Sequence, residues 1–175
     1  ERASGGRDAI LQVAAGLFST NGYAESGLRE IAELTGMRSS SVYYHFESKE
    51  RIYEEIIRIA IDLITAAVRA ELAALPPRAT PRMRVEASVR GHLRALHANK
   101  PFTSTNAQSR LKLPAAVDRV IGPLREDYSD FWRALLRQAK AKGALKPGLN
   151  PNLLRPLILG TLNRTVGWFD AERGS

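Results

Sequence analysis

The sequence predicts an all-α protein in two parts: a small N-terminal three-helix unit containing a helix-turn-helix corner, and a larger helical domain behind it. Three observations predict this. Alternating runs of Val, Ile, Thr and aromatic residues, the mark of strands, are nearly absent. Apolar residues recur with helical spacing along almost the whole chain. Turn-forming pairs then cut that pattern into segments: Asn21-Gly22, Thr35-Gly36, Pro76-Pro77 and Lys142-Gly143. With 175 residues, 44% of them hydrophobic, the chain is large enough for a packed core and too apolar for disorder.

Ile10, Val13, Ala14, Leu17 and Phe18 follow i, i+3, i+4, i+7, i+8, the stripe of a helix buried on one side. Asn21-Gly22 ends it, since both residues tolerate the left-handed cap conformation. A short second helix follows Ser26 as N-cap, with Leu28, Ile31 and Ala32 inward. Thr35-Gly36 forms a tight turn, for which Gly36 supplies the positive φ. A third short helix covers about 39–45, anchored by Val42 and Phe46. A long helix of about 48–75 stops at Pro76-Pro77. It is apolar on more than one face, so it packs on more than one side. Further helices fit 82–98, 101–111, 115–142 and 151–169, with Gly122-Pro123 expected to split or kink the third of these. The domain boundary falls after the third helix, giving 1–47 and 48–175.

Cysteine is absent, which excludes disulfides and Cys-ligated zinc and fits a reducing, cytoplasmic setting. No apolar run reaches the ~18 residues of a membrane span. The chain opens on Glu1 without a Met and stops just after a hydrophobic helix, which leaves room for a trimmed start and a missing tail. The net charge of +8 suggests nucleic acid, but its distribution does not. Residues 1–58 hold seven Lys/Arg against nine Asp/Glu, a net −2, and the remainder carries +10.

Two short helices joined by a glycine turn have helix-turn-helix geometry. The third helix offers Arg38, Ser39, Ser40, Ser41, Tyr43, Tyr44 and His45 around its apolar anchor. Such side chains can donate to phosphates and read base edges. Spacing alone does not separate that role from a solvated corner with surface aromatics.

Residues 10–57 resemble the N-terminal domain of TetR-family regulators. The stretches that carry the likeness are Ile10 to Phe18, Asn21-Gly22-Tyr23, Ser26 to Ala32, Thr35-Gly36-Met37, and Ser41-Val42-Tyr43-Tyr44-His45-Phe46-Glu47-Ser48-Lys49-Glu50, in order and without a gap. The resemblance implies a DNA-binding unit over 1–47 and an effector-binding and dimerisation domain over 48–175. It implies that Ser26 and Arg29 touch the DNA backbone, with Arg29 near a base. Arg38, Ser39, Ser40 and Tyr44 would face the major groove. Tyr43, His45 and Lys49 would meet phosphates. Two positions depart from the family pattern. Arg38 stands where Ser or Thr is usual, so the cap of the reading helix is expected on Ser39. Gly27 replaces a common Ser/Thr and loosens the start of the second helix.

The family dimerises through its last two helices, here about 123–142 and 151–169. A dimer is also required physically, because one reading helix covers only a few base pairs of a pseudo-palindromic operator in double-stranded DNA. The implied function is a ligand-released repressor with no cofactor. The basic excess after residue 58 reads either as solvated surface or as a site for a polyanion with an apolar tail. Arg90 and Arg94, at i, i+4, share a helix face. The segment 160–169 is similar to the last helix of TetR relatives that control lipid or steroid breakdown, several of which sense CoA thioesters. An acyl-CoA, or else an uncharged hydrophobic metabolite, is therefore the expected effector. Candidate contacts are Arg90, Arg94, Phe102 and Tyr128, together with Asn163, Arg164 and Trp168. His92 and His97 lie five apart and do not share a face as i, i+4 metal ligands do. No nucleophile elbow, phosphate loop or carboxylate pair stands out, so the chain is not expected to be an enzyme. The alternative is a small helical enzyme or metal-binding protein with a fortuitous corner.

Overall fold

The computed structural model describes residues 2–108, 113 and 115–169. Among them are eight α-helices and no strand: α1 (Arg2–Thr20), α2 (Leu28–Thr35), α3 (Ser39–His45), α4 (Lys49–Ala73), α5 (Pro81–Ala98), α6 (Lys100–Gln108), α7 (Ala115–Ala141) and α8 (Pro151–Arg164). A single 3₁₀ turn over Thr165–Gly167 follows α8, where the sequence predicts a helix running to 169. The expected end of α6 at 111 lies outside the described residues.

The chain forms two compact units. The first unit is built from the described residues of 1–60 and 99–122, the second from those of 61–98 and 123–175. α6 joins the first unit because it packs on α1. There the Thr105 hydroxyl donates to the Ala15 carbonyl at 3.0 Å, a bond between residues ninety positions apart. Phe102 is buried in this unit.

In the first unit most of the predicted inward residues are buried, while Val13, Leu17 and Leu28 are half-buried. Ile10, Ala14 and Phe18 of α1, Ile31 and Ala32 of α2, Val42 of α3 and Phe46 are all buried. α1 ends before Gly22, which takes a positive φ of 88°. Gly36 takes φ 67°, and around it the Gly36 N–H bonds the Glu33 carbonyl (3.1 Å) and the Met37 N–H the Ala32 carbonyl (2.9 Å). A Cβ there would strain the turn that sets α3 against α2.

Both cap expectations are corrected. Gly27, not Ser26, is the N-cap of α2, and it has no side chain to give. The Ser26 hydroxyl instead donates backwards to the Gly22 carbonyl at 2.8 Å. Arg38, not Ser39, is the N-cap of α3, again without a side-chain cap bond. Ser39 is the first helical residue.

The second unit packs around Trp132, Leu135, Leu159 and Leu162, with Val85, Val89, Leu93, Tyr128, Phe131 and Ile158 against them. A neighbouring cluster joins Ile64, Val68 and Ala95. α4 and α5 touch backbone to backbone at Gly91, where a Cβ would fall 2.7 Å from Val68 Cα and 2.8 Å from the Ala67 carbonyl oxygen. α7 runs unbroken through Pro123. The expected split does not occur because buried residues on both sides, Val117 and Ile121 before it and Trp132 and Leu136 after it, outweigh the one hydrogen bond proline removes.

Candidate functional site

α3 is about 10 Å long by helix rise, short enough to enter a major groove about 12 Å wide. Val42 and Phe46 fix it to the first unit. The opposite side is open: Arg38, Ser39 and Ser40 are exposed, Tyr43 is 55% exposed and Tyr44 84%. A Tyr ring left that far in water is unusual for a core-forming residue and common in a binding surface. Arg29 on α2 is exposed as well. His45 is half-buried, its ring 5.3 Å from that of Tyr44. On the inner side, the Arg7 guanidinium lies 5.0 Å over the Phe46 ring and pairs with Glu55 at 3.2 Å, so α1 braces both the end of α3 and α4.

Two of the residues assigned to phosphates by resemblance are turned inward. Ser26 is 2% exposed. The Lys49 ammonium donates to the carbonyls of Tyr23 (2.8 Å), Ser26 (2.8 Å) and Ala24 (3.4 Å), and sits 4.4 Å from the centre of the Tyr23 ring. The Tyr23 hydroxyl donates to Glu50 at 2.7 Å. Burial and the Glu50 carboxylate push the Tyr23 phenol well up, and the same bond holds the Glu50 carboxyl below its ordinary value.

In the second unit the expected effector residues fall into two groups. Tyr128 and Asn163 meet at His92, which sequence reasoning did not single out. His92 is 2% exposed; its Nδ1 lies 2.8 Å from the Tyr128 hydroxyl and its Nε2 3.1 Å from Asn163 Oδ1. A carboxamide oxygen can only accept, so Nε2 carries the proton and the tyrosine hydroxyl donates to Nδ1. Burial pushes the imidazole down to about 4, and burial raises the Tyr128 phenol. No spacing rule links residues 36 and 71 positions apart, so the network leaves no local signal in the sequence.

Arg90, Arg94 and Trp168 line a groove of about 790 Å³ with Val85, Val89, Leu93, His97 and Phe169. That volume is in the usual range for small-molecule sites, ~300–1,000 Å³. Arg90 and Arg94 both pair with Glu71, at 2.9 and 2.5 Å, so one carboxylate faces two guanidinium groups. Arg164 is exposed, and Phe102 belongs to the other unit.

Residues 10–56 match the model of bacterial regulatory proteins of the tetR family, and residues 78–173 match the tetracyclin repressor-like C-terminal domain. The chain belongs to the TetR family. It is a transcriptional regulator with a helix-turn-helix DNA-binding unit. Among its relatives is the HTH-type transcriptional repressor KstR2 of Rhodococcus jostii, 28% identical over 169 residues, covering 95% of this chain and 80% of the relative. Among solved structures, the TetR-family regulator PfmR from Thermus thermophilus superposes with a TM-score of 0.79 at 29% identity, covering 96% of this chain and 88% of that one. The ketosteroid transcriptional regulator KstR2 of Mycobacterium tuberculosis gives 0.74 at 26%, covering 94% and 83%. No helix among the described residues of this TetR regulator is long and apolar enough to cross a membrane.

Proposed function

We propose that this regulator is a repressor that binds a pseudo-palindromic operator as a homodimer and is released by a hydrophobic, anionic effector. The exposed face of α3 carries the reading. Arg38, Ser39, Ser40 and Tyr44 supply donors and ring edges for base contacts in the major groove; Arg29, Tyr43 and His45 supply phosphate contacts. The family match favours this over a small helical enzyme or metal-binding protein. Action on DNA supports a cytoplasmic setting.

Dimerisation is supported by α8. Leu153 and Leu157 are 70% and 65% exposed, and Gly160 and Thr161 continue the same stripe at i+7 and i+8. Two large leucines on one face of a terminal helix are explained by a partner surface. The matching face of α7 within 123–141 completes the proposed interface.

For the effector, the groove lined by Arg90, Arg94 and Trp168 joins apolar wall to basic side chains; Glu71 pairs with both arginines and Glu86, which also lines the groove, pairs with Arg82, so three guanidinium groups face two carboxylates. That suits an acyl-CoA, whose acyl chain would lie along Val85, Val89 and Leu93. A relative described as a ketosteroid regulator supports a hydrophobic effector in general. Binding must differ between the DNA-competent and released states, and operator must weaken effector binding by the same factor that effector weakens operator binding. Thermal-shift assays with acyl-CoAs and with neutral hydrophobes test the class. A rise in melting temperature with acyl-CoAs is expected, and a rise with neutral hydrophobes alone would reject the anionic part of the proposal.

A further inference from the structure

The chain passes between the two units three times: at Ala60-Ile61 inside α4, at Ala98-Asn99 between α5 and α6, and at Gly122-Pro123 inside α7. These crossings differ in stiffness. α4 has no glycine or proline over Lys49–Ala73, and Ile56, Ile57, Ile59 and Ile61 surround its crossing. At the second crossing one helix stops at Ala98 and the next starts at Lys100. In α7 a continuous helix crosses at its two poorest helix formers.

Pro123 has no N–H, so the Arg119 carbonyl, four residues earlier, loses its helical partner. Gly122 is required neither by backbone conformation nor by packing. Its φ is not positive, and a Cβ added there would meet nothing within 4 Å. Gly36 and Gly91 contrast with it, the one by its positive φ and the other by its contact with the α4 backbone. Alanine would fit at 122 and would hold the helix more firmly, so glycine supplies backbone freedom there. The buried anchors on either side belong to different units: Val117 and Ile121 to the first, Ser129, Trp132 and Leu136 to the second. None of residues 122–127 is buried.

We propose that Gly122-Pro123 is a joint: α7 bends there while α4 stays straight, α6 and the head of α7 move with the reading helix, and release from the operator uses this bend. Its regulatory role rests on the repressor reading; the bending itself is a property of the free chain. A ligand of the second unit shifts operator affinity only by preferring one of two arrangements. The joint makes the second arrangement reachable without breaking α7.

The double variant Gly122→Ala with Pro123→Ala tests this without weakening the fold, since both changes favour helix. The chain has no cysteine, so Gln12→Cys on α1 and Gln138→Cys on α7, both exposed, place one spin label in each unit. Pulsed dipolar electron resonance on the full chain, with labelled copies diluted in unlabelled ones, reads the distances within one chain. The double variant should give a narrower distribution than the wild type, because Gly122→Ala alone lowers the weight of bent forms about fivefold. Equal widths overturn the joint. The second measurement uses a duplex selected from a random-sequence pool by the wild type. One base pair inserted between its half-sites should cost the double variant about fivefold more affinity than it costs the wild type, because a stiff frame cannot follow the altered spacing. Equal losses overturn the joint's role on the operator. Failure of the wild type to enrich any sequence counts against the repressor reading, and the distance distributions then decide the joint by themselves.

Discussion

Lowering the pH to mildly acidic values should destabilise the second unit through His92. The imidazole is nearly fully buried between Tyr128 and Asn163, with the Trp132 ring 6.4 Å away, and burial lowers its value from 6.5 to about 4. Between those values the unfolded chain binds a proton that the folded chain refuses, so stability rises with pH there and levels off above it. The full difference amounts to roughly 3 kcal/mol, of which about 2 kcal/mol is already lost at pH 5 relative to pH 8. Urea denaturation followed by tryptophan fluorescence reports on this unit, because Trp132 is fully buried beside His92. The free-energy gap between wild type and His92→Gln is the informative quantity, since other titrating groups cancel in it. The gap should be largest at pH 8 and narrow by about 2 kcal/mol at pH 5. A gap independent of pH would refute the reasoning, because it would mean that the folded protein accepts the proton as readily as the unfolded one.

Gly91→Ala should destabilise the protein by about 1–3 kcal/mol or more in the same denaturation assay, because its Cβ meets the α4 backbone, which has no side chain to move aside. Leu157→Asp should shift sedimentation from dimer to monomer at micromolar concentration without loss of helical circular dichroism; a persistent dimer would remove α8 from the interface. Glu71→Gln releases Arg90 and Arg94 from their shared carboxylate and should enlarge the thermal shift given by an acyl-CoA while leaving the shift with neutral hydrophobes unchanged. Tyr44→Ala should weaken operator binding about five- to a hundredfold, the range of one good base contact, with binding to random duplex retained; equal losses on both would assign Tyr44 to the backbone.

Most of the helical framework was legible because apolar spacing and turn chemistry agree. Val42 and Phe46 read as inward from their i, i+4 spacing, and Gly36 as left-handed from its place between two short helices. What was not legible depends on distant partners. Ser26 has the chemistry of a cap, but its hydroxyl can turn to a carbonyl on either side, and only the folded loop decides for Gly22. Lys49 appears as a free cation at a helix start until the loop carbonyls that surround it, more than twenty positions earlier, are in place. Pro123 signals a break locally, and the buried residues on both sides of it override that signal. α6 joins the first unit through contacts with α1, about ninety residues earlier in the chain, a separation no window of periodicity spans. His92 is one histidine on an amphipathic helix, and its meaning comes from Tyr128 and Asn163 on other elements.

The central claim is that two copies of α3 read one duplex. Selection of bound sequences from a random-sequence duplex pool by the purified wild-type protein tests it most directly. A two-fold symmetric motif should emerge, with half-sites separated by one helical turn of about 34–36 Å or a multiple of it. Enrichment of no motif, or of one without two-fold symmetry, would contradict the account.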